Sequence, residues 1–197
     1  MPPHAIEAIL NRWEQVRDNP SIAGVIALCG KDAATPLADA MPDNLRETTM
    51  WDLYYKHGHH GDTSLTHRTS ILKQYPFVVA DGEKFIAETY VYHQIDQDYN
   101  MAVLDQVVII REYLPDGYTQ NVRAVTRKNP LGYVRLKRLF IEYSDIFPLK
   151  LYNSILYMVG CILGNVKHGI RDAPNPALAA MATVPAWILC KTVYRKG

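Results

Sequence analysis

Cysteine is scarce in this chain and nowhere spaced to hold a metal. Cys29, Cys161 and Cys190 stand far apart in apolar runs, so no pair has metal-ligand spacing, and the three read as buried free thiols of a reducing compartment. No glycine-rich loop of the kind that cradles phosphate is present, and no acid-x-acid motif falls in a predicted loop. Charge of one sign is lacking too: 21 basic residues against 20 acidic ones leave a formal charge of +1. That balance, with no basic stripe interleaved with aromatics, argues against nucleic acid as a partner. The first residues, MPPHAIEAIL, have neither the basic start nor the long apolar stretch of a signal peptide. Internal repeats and low-complexity tracts are also missing. What remains is a chain of 197 residues, 48% hydrophobic and 21% charged, which is enough for one domain with a sizeable core rather than a disordered segment.

The apolar pattern supplies the elements. Ile6, Ile9, Leu10 and Trp13 recur at helical spacing and predict an amphipathic helix over 4–17, ended by Asp18, Asn19 and Pro20. The run 22–29 is apolar throughout and of strand length, as a buried sheet strand is. Residues 30–50, punctuated by Pro36 and Pro42, read as a long excursion, the kind of loop that is functional or mobile. An aromatic patch at 51–55 precedes the turn GHHGD, and 70–75 is a short helix or strand closed by Pro76. The β-branched run 107–110 marks one or two strands within 101–112. Asn129 and Pro130 form an N-cap with proline at the first helical position. Leu136, Phe140, Tyr143 and Phe147 then mark the buried face of the helix that follows. Helix-like and strand-like runs alternate up to Leu114 and not beyond it, which predicts an α/β fold.

The richest stretch is 81–95, DGEKFIAETYVYHQI. An acidic turn of Asp81, Gly82 and Glu83 leads into a helical pattern. Glu88 stands near the helix start, where the backbone dipole favours a carboxylate, and Ile86, Val91 and Ile95 anchor one side. A carboxylate mounted on a packed element suits proton abstraction; helix capping is the plainer role for an acidic first turn.

The succession TSILKQYPF, DGEKFIAE and IIREYLPDGYTQN resembles the C-terminal half of a subfamily of family 2 glycosyltransferases. The resemblance runs from about Ala5 to about Lys191 and is most specific in the middle third. It implies part of a GT-A-like mixed sheet flanked by helices and inverting transfer of a sugar from a nucleotide-sugar donor. The acceptor would be a glycan or a lipid-linked molecule, in cell-surface polysaccharide synthesis. Glu88 then corresponds to the base that deprotonates the acceptor hydroxyl, with Val91 and Gln94 at the family's following positions and Thr89 where some members carry a second acid. Glu83 is the neighbouring candidate base. Gly61, Asp62, Asp81, Gly82, Asp116 and Thr119 become substrate-side candidates; Asp116 and Thr119 belong to DGYTQN, expected as a turn in a loop in which Gly117 uses a positive φ. The family's nucleotide-binding loop and acidic metal motif are expected to precede residue 1, on the same or another chain. A divalent metal, Mg or Mn, would serve the complete enzyme, and none is assigned to residues here.

Other constellations are weighed beside it. His57, His59 and His60 ahead of Asp62 are a polar turn or, far less simply, part of a metal-dependent hydrolase; their spacing matches no zinc template. Asp96 and Asp98 read as a solvated helix face, not a metal pair. Arg123, Arg127 and Lys128 face phosphate or water. Charge is absent between Lys150 and Lys167 and between Asp172 and Lys191. Each run is short of a comfortable bilayer span. With basic ends they read as an apolar helical hairpin lying on an anionic leaflet or, alternatively, as two buried core helices. The expected organisation is a partial catalytic domain over 1–121 and a membrane-proximal helical region over 122–197. The expected location is the cytoplasm, peripheral on the inner face of the membrane.

Overall fold

The apolar run IAGVIALCG forms β1 (Ile22–Gly30), buried along its whole length. Only a strand covered on both faces and both edges accepts so continuous an apolar sequence. In the computed structural model, which describes residues 1–37, 39–112 and 117–195 apart from the side chains of Tyr118 and Thr119, β1 sits inside a four-stranded mixed sheet. β2 is Glu47–Thr48, β3 is Thr63–His67 and β4 is Asn100–Ile110, and the order is β2-β4-β1-β3. β4 runs parallel to β1, whereas β3 on β1 and β2 on β4 are antiparallel. The 101–112 region carries one strand, irregular in its register, and not two. The pairing steps from Ala27↔Leu104 to Leu28↔Val107, so Asp105 and Gln106 bulge out and are exposed.

Two compact units compose the chain: Met1–Pro76 with Tyr92–Tyr113, and Phe77–Val91 with Leu114–Gly197. The first contains the sheet, α1 (Ala5–Glu14), α2 (Met50–Tyr55) and α3 (Thr69–Leu72). α1 lays Ala5, Ala8, Ile9 and Trp13 against Ile22, Val25, Ala102, Leu104 and Val108 of the sheet. Ile6 and Leu10, expected on the same buried face, are 59% and 54% exposed; the alanines on the covered face gave too weak a pattern to fix the helix's rotation. Gly24 is required where it is, because a Cβ there would collide with the Thr66 carbonyl across the β1–β3 pair.

The excursion over 30–50 is pinned at several points. Asp32 accepts from the backbone of Ala34 and Thr35, both at 2.8 Å. Leu37 N–H reaches Cys29 O at 2.9 Å. Asp39 accepts from His60 N–H at 2.8 Å, and Met41 N–H reaches Asp105 Oδ1 at 2.9 Å.

α4 (Glu88–Ile95) has residues in both units. The second unit continues with α5 (Tyr118–Lys128), α6 (Pro130–Tyr143), α7 (Phe147–Leu163) and α8 (Pro176–Thr192). α5 was not expected, since DGYTQN read as loop. Its signal was nonetheless present: no glycine or proline interrupts 118–128 and Arg127 and Lys128 close the last turn. α6, α7 and α8 share a core in which Ile141, Tyr157, Met158, Val159 and Cys161 meet Ala179, Ala182 and Ala186. The alanines let α8 approach α7 closely. Asn153 and Ser154, which interrupt the apolar run of α7, donate to Leu149 O and Lys150 O of their own helix. Among the described residues no helix is long and apolar enough to cross a membrane.

Candidate functional site

In the second unit the acidic turn is bound to a helix start. Glu83 N–H closes it on Ala80 O at 3.0 Å, and Gly82 sits at φ 79°, a conformation other residues resist. A Cβ on Gly82 would meet nothing within 4 Å, so the backbone twist, not a close approach, requires glycine. The Glu83 carboxylate accepts from Leu131 N–H at 2.5 Å and from Gly132 N–H at 2.8 Å. It thereby satisfies two of the donors left open at the first turn of α6 and sits on the positive end of that helix. The expected capper, Asn129, holds the N-cap position without a side-chain cap bond. Its amide instead accepts Lys84 N–H at 2.9 Å and donates to Val125 O at 2.9 Å. Glu83 is therefore occupied in structure.

Glu88 stands otherwise. It is the first residue of α4, exposed, and makes no hydrogen bond or ion pair among the described residues. Ile86 and Val91 on either side are 6% and 0% exposed, so the carboxylate rides on a packed element while its oxygens face water. Asp81, at the tip of the turn, is exposed. Asp116 lies outside the described residues, as does the side chain of Thr119. Gly117 precedes α5 at φ −64° and not at the expected positive φ; a helix N-terminus wants an extended N-cap where a loop turn would have wanted the left-handed region. Arg123 and Lys128 on α5 are exposed and Arg127 is half-buried.

In the first unit, Gly61 and Asp62 lie at the carboxyl ends of β1 and β4, the end at which open α/β sheets offer their loops to ligands. Asp62 O accepts Cys29 N–H at 3.2 Å, and its carboxylate is 3.6 Å from the Arg111 guanidinium. Tyr54 hydroxyl donates to Gly61 O at 2.8 Å, which fixes the turn. Burial raises the pKa of the neighbouring Cys29 thiol; Arg111 opposes the shift. A raised thiol is a poor nucleophile. α1, Ala33, Ala34, Pro36 and Ala40, and the β4 bulge line a cleft of about 790 Å³ that includes Arg12, Leu28 and Asp105.

The histidines of HGHHG diverge. His57 and His60 are exposed, and His60 Nδ1 lies 3.0 Å from Asp39. His59 is buried, its Nδ1 without a hydrogen-bond partner among the described residues. No group of three potential metal ligands gathers among the described residues. Asp96 departs from the expected solvated face. It is 6% exposed, accepts Met50 N–H at 3.0 Å and Trp51 N–H at 2.9 Å, and lies 2.9 Å from His93 Nδ1. The spacing of His93 and Asp96, three apart with the apolar Val91 and Ile95 nearby, was the available signal. Asp98 is the solvent-side partner of the pair and accepts the Tyr75 hydroxyl at 2.7 Å, a bond that pushes the phenol up to about 12. No protein family, curated protein or solved structure matches this chain.

Proposed function

We propose that this chain is the acceptor-side portion of an inverting glycosyltransferase of the family 2 type, with a partial GT-A-like sheet, and that Glu88 is its base. The observation that carries the reading is the division of labour between two acids five residues apart. Glu83 is consumed by the α6 N-terminus, whereas Glu88 is held rigidly by its buried neighbours and keeps its oxygens open to an acceptor hydroxyl. Deprotonating that hydroxyl lets its oxygen attack the anomeric carbon as the nucleotide diphosphate leaves. A divalent metal and the nucleotide would be held by a donor-binding half, on this or another polypeptide.

The sheet offers that half a place to join. Cys29 N–H to Asp62 O and Arg68 N–H to Ala23 O fix which residues of β3 bond to β1. By that register the backbones of Thr63, Leu65 and His67 point outward, and none has another backbone bond among the described residues. Such an edge accepts a further strand. The same edge favours a second reading, a non-catalytic module that pairs with a partner.

The test is the enzyme reconstituted with a nucleotide-binding half, identified from the coding sequence that adjoins this one by its strand, loop and acid-x-acid motif. Glu88→Gln should lower turnover by about a hundredfold or more with little change in substrate binding, and Glu83→Gln should retain turnover. Near-normal turnover in Glu88→Gln removes the base assignment. An assembled pair that transfers no sugar favours the pairing module.

A further inference from the structure

Helix α8 is apolar on every side, yet only one side is covered. Leu178, Ala179, Ala182 and Ala186 are buried, packed in the core shared with α7. On the opposite side Met181, Val184, Trp187 and Ile188 are 65%, 66%, 55% and 49% exposed. Their spacing of three and four places them in one stripe along the helix. A helix that is apolar all round belongs to an environment that is apolar, or half apolar, on both sides. Four large side chains in register are more than the scattered exposure normal for a surface.

Charge decides what covers the stripe. Between Asp172 and Lys191 no residue is charged. Beyond the stripe, Lys191 is exposed and places its ammonium 5.8 Å from the centre of the Trp187 ring, and exposed Arg195 follows. In the segment leading into α8, Lys167, His168 and Arg171 are exposed, and of these Arg171 is paired with Asp172 at 2.8 Å. Two copies of α8 laid stripe to stripe would set Lys191 and Arg195 against their own counterparts if parallel, and against Lys167 with the Arg171–Asp172 pair if antiparallel, so neither arrangement gives them an unpaired acid. An anionic lipid surface suits both features at once: its acyl boundary takes the stripe, and its phosphates take the cations. Trp187 beneath Lys191 is the pairing that an interface favours, an amphipathic ring at headgroup depth with a basic head reaching outward.

Depth follows from the helix itself. Seventeen residues make a rod about 25 Å long, short of the roughly 30 Å hydrocarbon core. Pro185 lies within it and has no N–H to give the Met181 carbonyl. Deep in hydrocarbon that carbonyl would go unmet, whereas at the headgroup boundary water reaches it.

We infer that α8 is an interfacial membrane anchor: the stripe Met181, Val184, Trp187 and Ile188 inserts shallowly into an anionic leaflet, with Lys191 and Arg195 on the lipid phosphates. This inference does not depend on sugar transfer by Glu88, because its readout is lipid binding by the chain alone.

The experiment is co-sedimentation of the full chain with vesicles of phosphatidylcholine alone and of phosphatidylcholine mixed with phosphatidylglycerol. The expected result is binding to the anionic vesicles, weakened but not abolished by salt, with a blue shift of the tryptophan emission that Trp187→Ser removes. Val184→Glu and Trp187→Ser change exposed positions and should leave the circular dichroism spectrum and melting unchanged while lowering the partition coefficient by roughly tenfold or more each, a large side chain's transfer energy expressed as a ratio. Lys191→Glu should weaken anionic binding and restore part of the salt independence. A wild-type chain left in the supernatant with both vesicle types overturns the inference. Binding that Val184→Glu leaves intact also overturns it. So does a lipid-free dimer by light scattering that Val184→Glu dissociates, which would give the stripe to a second copy.

Discussion

Glu83 and Glu88 show how position within a few residues separates structure from chemistry. Both are carboxylates of one acidic stretch, and the sequence offers both as bases. What distinguishes them is a contact with Leu131 and Gly132, forty-eight and forty-nine residues further on in the chain, which no local pattern announces. The helix start at Asn129 and Pro130 was legible, but the sequence pattern pointed to Asn129 as the capper and could not show that a distant acid supplies the cap. Glu83→Gln leaves one oxygen to accept a backbone N–H and removes the charge from the positive helix end. The expected loss is about 1–2 kcal/mol of stability, read as a lower urea midpoint at unchanged slope. Glu88→Gln, exposed and without a partner among the described residues, should shift the midpoint by no more than about 0.5 kcal/mol. Equal losses in the two variants would mean that Glu88 also has a structural duty.

At the scale of elements, the strongest patterns were read correctly. β1 followed from nine unbroken apolar or small residues, and α4 and α6 from period and cap signals. α5 carries its own local signal, an unbroken 118–128 run with Arg127 and Lys128 in its last turn; the orientation of α1 and the anchoring of α2 instead depend on what lies across from them. α1 was recognised, but its covered side follows from the sheet contacts of Ala5 and Ala8, not from the larger Ile6 and Leu10. α2 read only as an aromatic patch, because its anchor is remote. Thr49 Oγ1 accepts Asp52 N–H at 2.9 Å, and the Asp96 carboxylate takes the two preceding N–H groups, so three adjacent N–H groups are capped by two side chains. The paired His93 lies edge-on to the Trp51 ring, 5.4 Å between centroids. Removing Asp96 would open the α2 N-terminus and strip a buried imidazole of its carboxylate together. Asp96→Ala should therefore cost about 3 kcal/mol or more. Asp98→Ala, whose partner Tyr75 is at the surface, should cost about 1 kcal/mol or less. Paired urea melts decide it, and similar costs for the two would mean that the bonds of Asp96 to α2 and His93 hold the fold no more strongly than a surface contact.

For the molecule as a whole, near-neutral net charge conceals a pH dependence concentrated in the histidines of the first unit. Burial lowers the His67 pKa below the usual imidazole value, with Asp96 opposing, and its ring stacks on Tyr92 at 5.2 Å. Burial likewise lowers His59, with Asp39 opposing. Both stay neutral in the folded chain at pH values where the unfolded chain already binds a proton. Their contribution is complete above the unfolded pKa of about 6.5 and is lost as pH falls below it toward the folded values. Asp32 and Asp39 are depressed by the N–H groups they accept, so their contributions fade only as pH falls below about 4. The interval from about pH 7 to about pH 5 thus isolates the imidazoles. Stability should decline through it at no more than about 1.4 kcal/mol per pH unit for each histidine. His67→Phe keeps a ring against Tyr92 and removes the titration, so it should flatten the profile while leaving stability near pH 7.5 close to wild type. The measurement is a series of urea melts across that interval for wild type and variant. A wild-type profile that is flat or rises toward acid, or a His67→Phe profile as steep as wild type, would show that these histidines do not govern acid stability.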